Sequence, residues 1–117
     1  MQSNTSTLPK ILLLEDDETL SEILQEFLEE KGYEVIAVYD GHEAVDRAYS
    51  DAFDLFLFDI KVPFQNGFDV LSQLRLEGEE SPAVFISSLG SIEDLSRAYD
   101  AGCDDFLRKP FELQELE

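Results

Sequence analysis

The chain has 117 residues and, with 8 Lys and Arg against 27 Asp and Glu, a formal net charge of −19. A surface this acidic repels phosphate backbones, which argues against nucleic-acid binding by this segment alone. Its single cysteine excludes an intrachain disulfide and is consistent with a cytoplasmic location, and no apolar run is long enough to span a membrane. The length predicts one domain, preceded by polar residues 1–8 that we expect to be disordered.

The first half of the chain alternates short apolar runs with amphipathic segments. The predicted elements are, in order, a strand over 10–15, a helix with its apolar stripe over 20–28 that Gly32 ends, a strand over 34–38, a helix over about 41–50 and a strand over 54–59. The last strand is apolar on both faces, as expected for a buried strand of a parallel sheet. It ends on Asp59.

The second half continues the alternation after Pro63 and the Asn66–Gly67 pair, where we expect a tight turn. The elements are a helix from Phe68 to near Gly78, a strand over 83–86, a helix that begins at Ser91 and ends at Gly102, a strand over about 104–108 and the start of a fifth helix at Glu112. Buried strands that alternate with amphipathic helices predict an α/β fold of parallel units with right-handed crossovers.

The carboxyl ends of parallel strands meet at one edge of the sheet, and that edge is where open α/β sheets bind ligands. Polar residues end or directly follow four of the predicted strands: Glu15, Asp16, Asp17, Asp59, Ser87, Ser88 and Lys109. Converging carboxylates repel one another and raise each other's pKa, so they require a cation. Oxygen ligands favour Mg²⁺ over Zn²⁺. The one histidine, His42, is interpreted as a solvated surface residue.

A carboxylate beside Mg²⁺, a hydroxyl and an ammonium group is a suitable set for accepting a phosphoryl group. Asp59 would be the nucleophile, and the metal and Lys109 would hold the negative charge. Taken singly, each residue also fits a structural role: Asp16 as an acid at a helix N-terminus, and Ser87 as a turn residue. The functional interpretation depends on all of them falling at the same end of different strands.

Four segments resemble the motifs of the receiver domain of two-component response regulators. They are Ile11 to Asp17, Asp59 to Gly67, Phe85 to Ser88 and Phe106 to Phe111. The resemblance covers residues 9–117 and implies a flavodoxin-like, doubly wound, five-stranded parallel sheet with strand order 2-1-3-4-5. The run from Gly102 to Phe106 is similar to the OmpR/PhoB subfamily, whose second domain is a DNA-binding winged helix.

The resemblance also implies roles for individual residues. Asp59 would accept a phosphoryl group from a sensor histidine kinase. The ligands of Mg²⁺, for which Mn²⁺ can substitute, would be Glu15, Asp16, Asp59 and the main-chain carbonyl of Lys61. Lys109 would pair with the acyl phosphate, and the bond before Pro110 would be cis. Asp17 falls one position late and is expected to cap a helix instead.

The resemblance further implies a switch. Ser87 would move to bond the phosphoryl group, and Phe106 would fill the space that it leaves. The face of helix 4, strand 5 and helix 5 would then change, and it is also the expected homodimer interface. Because Phe106 has no hydroxyl, we expect its position to depend on packing alone. Asn66 stands where the family often has an acid or Ser.

The chain ends about one turn into the predicted fifth helix, so we expect a truncated receiver whose DNA-binding output domain is not included. Self-dephosphorylation would be slow, and no turnover of external substrates is expected. Two alternatives remain open: a degenerate receiver that serves only for dimerisation or docking, and a metal-dependent phosphatase. The second is disfavoured, because Lys61 stands where such enzymes usually carry a second acid.

Overall fold

A computed structural model describes residues 8–60, 62, 64–87, 96–97 and 99–108, with the main chain alone at Ser87, Phe106 and Arg108. Five parallel strands form one sheet in the order β2-β1-β3-β4-β5, as the resemblance implied. The strands are β1 (Lys10–Leu14), β2 (Glu34–Val38), β3 (Leu55–Asp59), β4 (Ala83–Ser87) and β5 (Asp105–Arg108).

Three helices are described in full: α1 (Glu18–Glu30), α2 (Gly41–Ser50) and α3 (Gly67–Leu76). The predicted fourth helix is described at Ser96, Arg97, Tyr99 and Asp100, which are helical. The predicted fifth helix lies outside the described residues. No helix in the described part of the chain combines the length and apolar character needed to cross a membrane.

Short polar residues set the start of each full helix. Asp17, Asp40 and Asn66 are the N-caps of α1, α2 and α3, and each side chain accepts a hydrogen bond from the main-chain N–H three residues later. At the other end of α1, Gly32 has φ +97°, the conformation that favours glycine just beyond a helix. These local signals explain why the helix boundaries lie close to the predicted ones.

The sheet is buried on both faces, because alternate side chains of each strand point to opposite sides. One face packs against α2 and α3, and its strand residues are Leu12, Leu14, Phe56, Phe58, Ala83 and Phe85. The other face packs against α1, and its fully described strand residues include Ile11, Leu13, Leu57 and Ile86. The chain moves outward from β1 to β2 and then back to β3. With right-handed crossovers, this reversal places α1 and α2 on opposite faces.

Candidate functional site

The strand order reverses between β1 and β3, and the carboxyl ends of these two neighbours flank the crevice where doubly wound sheets bind ligands. Glu15 directly follows β1 and is fully buried. Its N–H donates to the carbonyl of Val38 at 3.2 Å, which continues the β1–β2 ladder by one residue. Its carboxylate accepts a hydrogen bond from the N–H of Asp17 at 3.1 Å. The buried carboxylate of Glu15 is therefore held at a fixed place at the sheet edge.

Asp59 is the last residue of β3, and its side chain is only 6% exposed. Its main chain lies beside Ile86 of β4. One carboxylate oxygen accepts a hydrogen bond from the N–H of Ile60 at 2.7 Å. The central position of β3 places this carboxylate in the middle of the edge.

Carboxylate oxygens of Glu15, Asp16 and Asp59 lie within 4.8 Å of one another. Glu15 and Asp59 are buried, whereas Asp16 is exposed and opens the group to solvent. Three carboxylates at this spacing, with one side facing water, suit a hard divalent cation that keeps part of its hydration shell. The donor set therefore fits Mg²⁺ or Mn²⁺. The convergence of these three residues confirms the expectation that parallel topology would bring them together.

Asp17 lies next to this group but turns away from it. Its carboxylate accepts a hydrogen bond from the N–H of Leu20 at 3.1 Å and caps α1. The expectation that Asp17 is a cap is confirmed. Of the three consecutive acids after β1, Glu15 and Asp16 belong to the carboxylate cluster and Asp17 caps α1.

The loop between β3 and α3 closes back on Asp59. The N–H of Gly67 donates to the carbonyl of Ile60 at 2.8 Å. A Cβ added at Gly67 would overlap the carbonyl oxygen of Asp59, so only glycine allows this approach. Asn66 and Gly67 do not form the expected tight turn. Asn66 is extended (φ −71°, ψ 165°) and Gly67 is the first residue of α3, because the Asn66 side chain accepts from the N–H of Asp69.

The far end of the same loop rests on α2, a contact that the sequence pattern did not predict. The Phe64 ring stacks on the His42 ring with centroids 5.0 Å apart and planes at 15°. The carbonyl oxygen of Gln65 lies so close to Gly41 that a Cβ there would overlap it. His42 is exposed as expected, but it is in contact with the loop that follows Asp59.

The remaining site residues are placed in part. The main chain of Ser87 ends β4 beside Arg108, and the main chain of Phe106 pairs with Phe85. Phe106 therefore belongs to the strand predicted over about 104–108, whereas Ser87, expected directly after the fourth strand, is its last residue. Lys61, Lys109 and Pro110 lie outside the described residues. Their roles, and those of the Ser87 and Phe106 side chains, stay predictions.

Comparison with known proteins agrees with this geometry. Residues 11–117 match the family described as response regulator receiver domain. The chain is 42% identical over 109 residues to the transcriptional regulatory protein CrdR of Helicobacter pylori, covering 92% of this chain and 51% of that protein. It is 41% identical over 108 residues to CiaR of Streptococcus pneumoniae, covering 92% and 48%.

A solved structure shows the same fold. The receiver domain of Francisella response regulator 1452 superposes with a TM-score of 0.89 at 30% identity, covering 92% of this chain and 89% of that one. The chain belongs to the response regulator receiver domain family. It spans about half the length of the curated relatives that it matches.

Proposed function

We propose that this domain is a phosphorylation-dependent signalling switch, in which Asp59 accepts a phosphoryl group from a sensor histidine kinase. The observation that carries the proposal is the cluster of Glu15, Asp16 and Asp59, with carboxylate oxygens within 4.8 Å of one another. Family membership supports it independently. The receiver unit would comprise residues 9–117, after a lead-in of residues 1–8.

In this proposal Mg²⁺ is held by Glu15, Asp16, Asp59 and the main-chain carbonyl of Lys61. When bound, the metal offsets the negative charge of the cluster and of the incoming phosphoryl oxygens. The buried carboxylate of Glu15 gives the site an oxygen ligand at a fixed place, and the exposed Asp16 leaves room for entry from solvent. Mn²⁺ would bind the same oxygen ligands.

The transfer itself needs one nucleophile and no redox chemistry. A carboxylate oxygen of Asp59 attacks the phosphorus of the kinase phosphohistidine and forms an acyl phosphate. The phosphorus–nitrogen bond breaks, and the leaving imidazole takes up a proton. The hydrogen bond from the Ile60 N–H to one Asp59 oxygen, at 2.7 Å, holds the carboxylate while the other oxygen reacts.

After transfer, Lys109 would pair with the acyl phosphate and Ser87 would donate a hydrogen bond to it. Movement of Ser87 would free space for Phe106, and the face of helix 4, β5 and helix 5 would change and favour a homodimer. A cis bond before Pro110 would shape the loop that carries Lys109. The position of β4 between β3 and β5, with both of which it pairs, supports this route from Asp59 to β5.

The output would be regulation of transcription. The relatives CrdR and CiaR are named transcriptional regulatory proteins, and each is about twice as long as the matched region. We propose that the signal passes to a DNA-binding output domain. The net charge of −19 supports a division of labour in which the receiver itself does not contact DNA.

The test is phosphorylation by a small donor. The domain is incubated with Mg²⁺ and acetyl phosphate, and its intact mass is measured. We expect one added phosphoryl group, with acetate as the leaving group, and none in Asp59→Asn. The matched control is Asp100→Asn, which removes an exposed acid from the fourth helix and should be phosphorylated like the wild type.

The same experiment separates the alternatives. A wild-type chain that gains no phosphoryl group would contradict the switch and favour a docking module. Continuous hydrolysis of a phosphate ester would favour a phosphatase. Titration with Mn²⁺ tests the metal shell separately: Asp16→Ala should weaken binding, and an unchanged affinity would remove Asp16 from the ligand set.

A further inference from the structure

Phe64 holds an unfavourable main-chain conformation in the loop after β3. Its φ is +71°, and among the described residues it is the one non-glycine residue with a positive φ. A Cβ makes this region unfavourable, and a bulky aromatic residue is seldom found there. The residue is 78% exposed, so burial in the core does not compensate for the strain. Something else must stabilise this conformation.

The ring of His42 supplies a specific contact. The two rings are nearly parallel, at 15°, and their centroids lie 5.0 Å apart, which is a favourable stacked arrangement. His42 stands in the first turn of α2, a helix that is anchored in the core through Ala44, Val45 and Ala48. The stack therefore joins the strained residue of the loop to a rigid element.

Two neighbouring contacts hold the loop in the same place. The carbonyl of Gln65 packs against Gly41, where no side chain intervenes. The side-chain amide of Gln65 donates to Gln73 of α3 at 2.9 Å. The tip of the loop is thus fixed relative to both α2 and α3.

The position of the tip bears on Asp59 because the loop is short and closed. It leaves the sheet at Asp59 and returns at Gly67, whose N–H bonds the Ile60 carbonyl at 2.8 Å. Lys61, the main-chain ligand proposed for Mg²⁺, lies between Asp59 and Phe64 in the sequence. Release of the tip would loosen both ends of this segment.

We propose that the stacked pair His42–Phe64 is a clamp that offsets the strain at Phe64 and positions the loop for metal binding and phosphoryl transfer. Both are positioning residues, since neither carries a reacting atom. The inference rests on the proposed function of Asp59. Its structural part, the closure of the loop, can be measured without phosphorylation.

Four variants of the whole chain test the clamp. His42→Ala removes the partner ring, and Phe64→Ala removes the other ring but keeps the Cβ that makes φ +71° unfavourable. Phe64→Gly removes the ring and the strain together, because glycine adopts positive φ readily. His42→Phe keeps a ring for stacking. Tyr33→Ala, which deletes an exposed ring at the opposite edge of the sheet, is the control.

The first readout is hydrogen exchange of the Gly67 amide, which reports loop closure directly. We expect His42→Ala and Phe64→Ala to lower its protection about three- to tenfold, the range for one aromatic pair. Phe64→Gly, His42→Phe and Tyr33→Ala should stay near the wild type. Mn²⁺ affinity and the rate of phosphorylation by acetyl phosphate should follow the same order.

Each deviation has a definite meaning. Unchanged Gly67 protection in His42→Ala would overturn the clamp, and equal losses in Phe64→Gly and Phe64→Ala would overturn the role of strain. If the protection of the Gly67 amide changed but the Mn²⁺ affinity did not, the clamp would not position the loop for metal binding. A wild-type chain that formed no phosphoryl adduct would contradict the proposed function. The order of Gly67 amide protection among the variants would still decide whether the clamp exists.

Discussion

Acidic residues have different neighbours at the two ends of β1. At the amino end, the Lys10 ammonium lies 2.9 Å from a carboxylate oxygen of Asp51, and the Lys10 N–H donates to Asp54 at 2.7 Å. At the carboxyl end, a few residues later, Glu15 joins Asp16 and Asp59 in a group of three carboxylates. The amino end pairs an acid with a lysine, whereas the carboxyl end brings three carboxylates together.

This difference separates stability from function. An ion pair at the surface adds a little to folding stability. Carboxylates close together repel one another, and a bound divalent cation would offset that repulsion. The amino edge is therefore explained by the fold, whereas the carboxyl edge fits the cation site that we propose.

The largest expected difference between the two edges is the effect of a divalent cation on the free energy of unfolding. Mg²⁺ at about a hundred times its dissociation constant should raise the free energy of unfolding by about 2.7 kcal/mol. Asp16→Asn should lose most of this gain, whereas Asp51→Asn should keep it. Urea denaturation of each variant with and without Mg²⁺ measures the effect. An equal gain in Asp16→Asn would show that the stabilising cation binds elsewhere.

Glycines also differ between the edges. At the carboxyl edge, Gly67 provides space beside the main chain of Asp59, whereas at the amino edge Gly32 provides a φ of +97° with nothing within 4 Å of an added Cβ. We expect Gly67→Ala to lower the free energy of unfolding by about 1–3 kcal/mol, as overpacking does. Gly32→Ala should lower it by about 1 kcal/mol, because a Cβ is unfavourable at this positive φ.

Only Gly67→Ala should also weaken Mn²⁺ binding, because its Cβ would displace the carbonyl of Asp59. Thermal denaturation and Mn²⁺ titration of both variants test this contrast. Equal Mn²⁺ affinities would mean that the loop adjusts without moving the cluster.

Much of the fold was predictable because its signals are local. The range of α2 agrees with the predicted one, since Asp40 caps the helix and the apolar positions Ala44, Val45 and Ala48 recur at helical spacing. The convergence of Glu15 and Asp59 also followed from the sequence, because parallel strands end at one edge whatever their side chains. Residues tied to a strand end could thus be placed without coordinates.

The contacts around the loop could not be predicted in this way. The Asn66–Gly67 pair is a common turn signal, yet Asn66 caps α3 because the following residues favour a helix. The stack of Phe64 on His42 joins residues 22 positions apart, in a loop and a helix whose relative placement is set by the whole core. No sequence period reports such a contact.

Without a metal, single acids at the two edges should have opposite effects. Asp16→Asn reduces repulsion in the carboxylate group and should raise the free energy of unfolding by up to about 0.5 kcal/mol, the scale of one exposed charge interaction. Asp51→Asn removes the partner of Lys10 and should lower the free energy of unfolding. Chemical denaturation in a chelating buffer tests both signs. A loss of stability in Asp16→Asn would show that its charge is already compensated in the folded chain.

The smallest effect concerns the pH dependence of the Lys10–Asp51 pair. The hydrogen bond between them raises the pKa of Lys10 from its ordinary 10.5 and lowers the pKa of Asp51 from its ordinary 3.8. The Asp51 contribution is present above 3.8 and is lost as pH falls through the lowered pKa. The Lys10 contribution is present below 10.5 and is lost as pH rises through the raised pKa.

The stability difference between the wild type and Lys10→Met should therefore be constant through neutral pH and decrease at both extremes. Asp51→Asn should give the same profile, because either change removes the same pair. Denaturation of the three proteins across this pH range, at low salt, measures the difference. A difference that persisted in acid, where Asp51 is protonated, would assign the stabilisation to the contact of the Lys10 ammonium with the Phe53 ring, 5.9 Å from its centroid, instead of to the pair with Asp51.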